Sequence, residues 1–254
     1  MVKKKDVAKK GKTDVSTDVI DMTVDAGRGL EGADKDSYAI PFLAILQGLS
    51  PQVGTVKNAV PGKFINTITD EVFDEVLIIP CAFQRRFLCW APRDEGGGFK
   101  GSYSPLEVES GKLEGMTKND MGIPMIGDDT LSDTRIHYVL MQNAAGSWTP
   151  AVLSLSRTQI KKSKRLMSLI QGRELPHPKN KKETYNPPSF SHTYRLTTVQ
   201  EENAKGKWWG LAMEVDKLIK SAPLYNAGRA FCEQVFAGEA TTAEPQPEDS
   251  EGAF

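Results

Sequence analysis

The run EVLIIPCAFQRRFLCW at 75–90 constrains this chain most. It is long, β-branched and aromatic, which makes it a strand, and Pro80 inside it implies a sheet edge or a bulge. Other strand-like runs follow the same logic. GKFIN (62–66) is short, and FKGSY (99–103) comes out of the Gly96-Gly97-Gly98 turn. RIHYVLMQ (135–142) and SWTPAVLSLS (147–156) form a hairpin about 143–146. PSFSHTYRLTTVQ (188–200) and GKWWGLAMEV (206–215) form a second hairpin through the polar 201–205.

Two stretches read as helices. Ser156 caps RTQIKKSKRLMSLIQG, with Ile160, Leu166, Met167, Leu169 and Ile170 on one side, bases on the other, and Gly172 as its stop. LYNAGRAFCEQVF (224–236) is a last short helix. The opening apolar stretch SYAIPFLAILQGLSPQV is a short helix or a strand-like cap. Residues 104–133 and the proline- and base-rich 173–189 read as loops. The expected fold is mainly β with one or two helices. This order of elements is compatible with an oligonucleotide-binding, five-stranded Greek-key barrel, and a β-sandwich would give a similar string.

The termini are different in kind. Residues 1–12 carry six lysines and one acid, and 13–36 show no sustained apolar period, so 1–36 is expected to be a disordered basic and polar arm. Residues 237–254 carry five acids, no base and two prolines, ending on Phe254, and are expected to be a disordered acidic tail. The folded domain is then 37–236. The net charge of −1 excludes a uniformly basic protein, and three cysteines exclude a disulfide framework. No apolar run is long enough for a membrane span and the N-terminus lacks the apolar core of a signal peptide, so a cytoplasmic location is expected.

Within this near-neutral chain the charge is concentrated. From Arg157 to Lys182 there are nine bases against one acid, Glu174, for a local charge of +8. A polyanion is the natural partner of such a segment, because each neutralised phosphate releases counterions. Its helix supplies Lys161, Lys162, Lys164 and Arg165 as candidate binding residues. Aromatic residues interleave with bases on the strands: Arg85-Arg86-Phe87 and Trp90, Phe99-Lys100 and Tyr103, Tyr194-Arg195, and Lys207-Trp208-Trp209. Alternation sends Trp208 and Trp209 to opposite faces, so one of them is expected to line a groove beside Lys207 and Arg195. Ring faces beside cations suit unpaired bases of any sequence. The candidate site is therefore Arg85, Arg86, Lys100, Arg195, Lys207, Trp208 and Trp209, extended by the basic helix.

A basic β domain followed by the tail Glu248-Asp249-Ser250-Glu251-Gly252-Ala253-Phe254 resembles bacteriophage single-stranded DNA-binding proteins of the phage T7 type. The resemblance implies that Glu248, Asp249, Glu251 and Phe254 contact replication proteins such as a polymerase or helicase-primase, and that the tail competes with DNA for the groove. It also implies the cytoplasm of a host cell as the place of action. IPFLAILQGLSPQV together with GKFINTITDEVF also looks like phage-encoded proteins.

Catalytic signatures are absent. There is no P-loop and no GxSxG, so no enzyme activity, cofactor or metal is expected. Cys81 and Cys89 fall on one face of a regular strand, about 26 Å apart, too far to share a metal. Asp120, Asp128, Asp129 and Asp133 read as turn formers rather than a divalent-ion site. The leading expectation is a sequence-independent single-stranded DNA-binding protein acting in phage replication, recombination or repair, with a homodimer left open. The rival is a virion or host-interaction protein whose basic patch docks an acidic protein partner.

Overall fold

The 75–90 run forms one strand of fifteen residues, Val76–Trp90, and its ladder slips between Pro80 and Ala82, beside the residue that has no N–H to donate. This computed structural model describes residues 21–34, 37–92, 94, 96–204 and 206–245. The chain divides into two units. In the first, Met1–Asp34, residues Met22–Asp25 make one 3-10 turn capped by Asp21, whose carboxylate accepts the Thr23 N–H at 3.0 Å. The second, Lys35–Phe254, holds the sheets.

Its strands in chain order are β1 (Leu43–Ile45), β2 (Phe64–Asn66), β3 (Val72–Phe73), β4 (Val76–Trp90), β5 (Phe99–Tyr103), β6 (Met116–Lys118), β7 (Pro124–Ile126), β8 (Asp129–Gln142), β9 (Trp148–Ser156), β10 (Leu175–Pro176), β11 (Thr184–Tyr185), β12 (His192–Asn203) and β13 (Gly206–Leu218). The helices are α1 (Pro105–Glu109), α2 (Ile160–Gln171) and α3 (Ala222–Phe236). The protein is mainly β, and the pairs between these strands are antiparallel. No helix among the described residues is long and apolar enough to cross a membrane.

β4 and β8 are the spine, paired from Ile78 and Met141 to Trp90 and Thr130. At one end of this pair β12 and then β13 extend the sheet past β4, while β9 runs beside β8. At the other end β5 pairs with β4, and β7 with β8. Alternation sorts the side chains into two cores. One face buries Ile78, Val139, Met141, Leu153, Leu155, Leu196 and Leu211 around Leu166 of α2. The opposite face packs Ile79, Tyr138, Leu140 and Val152 beneath Phe231 and Val235 of α3. Each such side chain contributes about 1.5–3 kcal/mol on burial. The slip at Pro80 has a consequence for the cysteines. Cys81 joins the core under α3, whereas Cys89 packs with Phe87 and Leu131 in a third cluster, so the two do not share a face as a regular strand would require.

The sheet curls until β9 and β13 contribute to one core, yet the described ladder runs open between them. The expected barrel is thus not closed by a strand pair. Two other devices fill the gap. On the β9 side, the Val152 N–H donates to the Pro41 carbonyl at 2.8 Å and Phe42 makes a parallel bridge to Val152. On the β13 side, two glutamine amides stand in for a neighbouring strand. Gln47 accepts the Trp209 N–H at 2.8 Å and donates to the Trp209 carbonyl at 2.9 Å, while Gln159 accepts the Leu211 N–H at 3.1 Å. Residues 209 and 211 point their peptide groups the same way, so a primary amide can satisfy each as a peptide would.

Three readings of the segments between strands need correction. The 104–133 stretch is not a plain loop. It contains α1, β6 and β7, and α1 is nucleated by a capping box in which Ser104 and Glu107 bond each other's backbone N–H. The 173–189 stretch contains the short ribbon of β10 and β11. Ser156 precedes a 3-10 turn, Arg157–Gln159, and makes no side-chain cap; the helix proper starts at Ile160 and stops at Gly172.

Candidate functional site

α3 covers only part of the outer face of the β4–β8 pair, and the uncovered part forms a trough. Its lining is more apolar than polar, with the small hydroxyl residues Ser132, Thr134, Ser154 and Ser156 set among Leu88, Leu131 and Ile160. Aromatic side chains stand along it. Trp90 and Phe99 pack edge to face, 5.8 Å between ring centres, on neighbouring strands. Two cavities, of about 440 and 350 Å³, lie on this face, and a third, of about 190 Å³, adjoins them at the seam between β9 and β13; the trough is the three together. The first and second share Ser154, the first and third share Phe42 and Pro245, and the second and third share Leu88. Trp208 and Trp209 line the first, Trp90 and Arg157 the second, and Phe99 and Arg86 the third.

Both indoles of the Trp208-Trp209 pair are half-buried, and both line the same cavity. They reach it differently. Trp209 lies flat over Gly62, where a Cβ would come within 2.7 Å of the ring; φ of +91° at Gly62 also disfavours any other residue. Trp208 is held by its indole N–H, which donates to Glu201 at 3.1 Å. The backbone at Arg157 is left-handed, with φ of +46°, and it turns the chain from the floor of the trough into α2.

Glu201 on β12 organises the neighbourhood of Trp208. It pairs with Lys162 at 2.6 Å and with Lys161 at 3.5 Å. Burial alone would raise its carboxyl. The hydrogen bond and charge of Lys162, the charge of Lys161 and the Trp208 bond outweigh burial and hold it below the usual glutamate value.

The expected site residues therefore divide. Arg86, Trp208 and Trp209 line the trough, and Lys161 and Lys162 join it through Glu201. Lys164 and Arg165 are exposed on α2 and make no ion pair among the described residues. Four others lie elsewhere. Arg85 points to the opposite face from Arg86, where it binds Asp133 through two nitrogens at 3.0 and 2.9 Å and also Glu109. Arg195 sits among Glu75, Glu214 and Asp216. Lys100 faces Asp129 at 3.9 Å. Lys207 pairs with Glu202 at 3.3 Å on the hairpin of β12 and β13. Alternation separates Arg85 from Arg86, and the carboxylates come from α1, from neighbouring strands and, for Lys207, from its own hairpin. Glu248, Asp249, Glu251 and Phe254 lie outside the described residues.

Sequence reasoning did not single out Gln47, Gln159 or the serines and threonines of the lining. Isolated polar residues carry no charge or periodicity that would mark them. The Asp133 carboxylate is held by Arg85 and Arg135, and no metal-type cluster of carboxylates, histidines or cysteines occurs among the described residues.

The family model for Pam3 phage gp34-like proteins matches residues 8–241. The chain belongs to that phage family. No curated protein and no solved structure matches it.

Proposed function

We propose that this member of the Pam3 phage gp34-like family binds single-stranded DNA without sequence preference, in phage replication, recombination or repair. The observation that carries the reading is the trough, in which Trp90, Phe99, Trp208 and Trp209 offer ring surface beside Arg86 and Arg157. Unpaired bases need stacking surfaces and their phosphates need cations, and a sequence-tolerant site needs little else. In this reading the tail docks replication proteins.

The test is a titration with a dT oligonucleotide at low salt. Tryptophan emission is expected to be quenched, with affinity falling steeply as salt rises. Trp208→Ala is expected to weaken binding by about 1–3 kcal/mol, the usual contribution of a stacked base. Unchanged emission together with no gel shift rejects the reading.

A second reading, a virion or host-interaction protein, gains from the carboxylate partners already held by Arg85, Arg195 and Lys207. The rings would then be anchors for a protein. Partners that survive nuclease treatment in a pull-down favour it.

A further inference from the structure

The ribbon of β10 and β11 lies at the far end of α2 from the trough. Gln159 and Ile160, at the start of α2, line the trough. Twelve residues later the helix ends, and Asn186 ties the base of the ribbon to it by donating to the Gln171 and Arg173 carbonyls at 2.8 and 3.1 Å. A helix of that length separates the two by about 18 Å.

The tip of the ribbon is built, not loose. The His177 ring nitrogen Nδ1 accepts the N–H groups of Lys179 and Asn180, both at 3.2 Å, and Asn180 accepts the Lys182 N–H at 3.2 Å. His177 N–H and Glu183 carbonyl close the ribbon at 2.8 Å. This turn displays Lys179, Lys181 and Lys182 to solvent, and none of them makes an ion pair among the described residues. The nearby Glu174 is instead engaged by the Thr184 hydroxyl at 3.0 Å. The aromatic residue of the ribbon, Tyr185, is exposed and edge-on to His177, but it pairs with Leu175 at the base of the ribbon and not in the turn that carries the lysines.

We propose that this ribbon holds the backbone of duplex DNA while the trough holds a single strand, so that the protein seats at a junction between the two. A turn that presents three lysines and no Phe, Tyr or Trp suits a partner whose bases are already stacked away. A duplex carries twice the phosphate density of one strand, and its major groove is wide enough for a two-stranded ribbon. The single-strand half of this proposal rests on the function proposed above; the ribbon half does not.

The experiment compares three labelled probes by anisotropy: a short dT strand, a blunt duplex, and that duplex carrying the dT strand as an overhang. The overhang probe is expected to bind about tenfold or more tighter than either part, because the second contact becomes intramolecular. The triple variant K179A/K181A/K182A is expected to remove that advantage and to lower the salt slope on duplex by about 2.7, at 0.9 per phosphate contact. Its affinity for the dT strand alone stays within twofold, and an unchanged melting temperature confirms folding. An overhang probe bound no better than dT overturns the proposal. So does a triple variant that keeps the preference or weakens all three probes equally. If wild type ignores dT but loses duplex binding in the triple variant, the trough reading fails and the ribbon contact stands.

Discussion

Glu201 draws together residues that are far apart in sequence. Its carboxylate holds Lys161, Lys162 and the Trp208 indole at once, so each cation of the α2 start is already half neutralised. Replacing it separates the roles. Glu201→Gln keeps an acceptor for the indole and removes the charge. Binding to dT is expected to tighten, with the salt slope steeper by about 1.4, at 0.7 for each freed lysine. A slope and affinity like wild type, read from the same salt titration, means that these lysines do not meet phosphate. The charge of the basic helix was legible from residue counts. Its partner was not, because Glu201 lies on a different hairpin and no local pattern links the two.

At the scale of elements, a buried polar pair joins α2 to β8 beside the packing of Leu166. His137 and Ser163 approach to 2.8 Å, and the ring is enclosed, with Phe83 tilted against it at 5.0 Å. Burial pushes the His137 pKa down to about 4. At pH 7 the ring is neutral in the folded and the unfolded chain alike. As pH falls from about 6.5 toward 4, the unfolded chain takes up a proton that the folded one refuses, and stability drops by about 3 kcal/mol. His192, lowered by burial and then by the charge of Arg173, acts in the same direction. Urea midpoints measured across this range are expected to fall, and the slope is expected to flatten in His137→Gln. An equal slope in the variant assigns the loss to other groups. Ser163 on the basic helix had no apolar signal to mark it as buried. The hairpins, by contrast, were plain from alternation broken by short polar turns.

For the whole molecule, the chain ends matter. After α3 the backbone returns to the sheet, where Ile40 and Thr242 form a parallel bridge and Pro245 reaches the trough. Residues 246–254 carry three acids and start from that point. Their removal leaves the Ile40 pairing in place, so the fold is expected to persist. At low salt, dT binding is expected to tighten several-fold as a tethered polyanion is lost. Unchanged affinity rejects the tail as a competitor. The seam beside the trough was beyond sequence reading for a related reason. Whether two strands pair or leave a gap for Gln47 and Gln159 depends on how far the sheet curls.

Periodicity and charge density are properties of neighbouring residues, so the chain by itself determined its long strands and their hairpins, the site of α2 and the concentration of bases along it. Which cations meet carboxylates, which rings share a cavity, and whether the sheet closes depend on how separate elements pack, whatever their spacing in sequence. Those distances are set only when the two cores pack, and there the tertiary structure decided that Arg86 faces the trough and Arg85 does not.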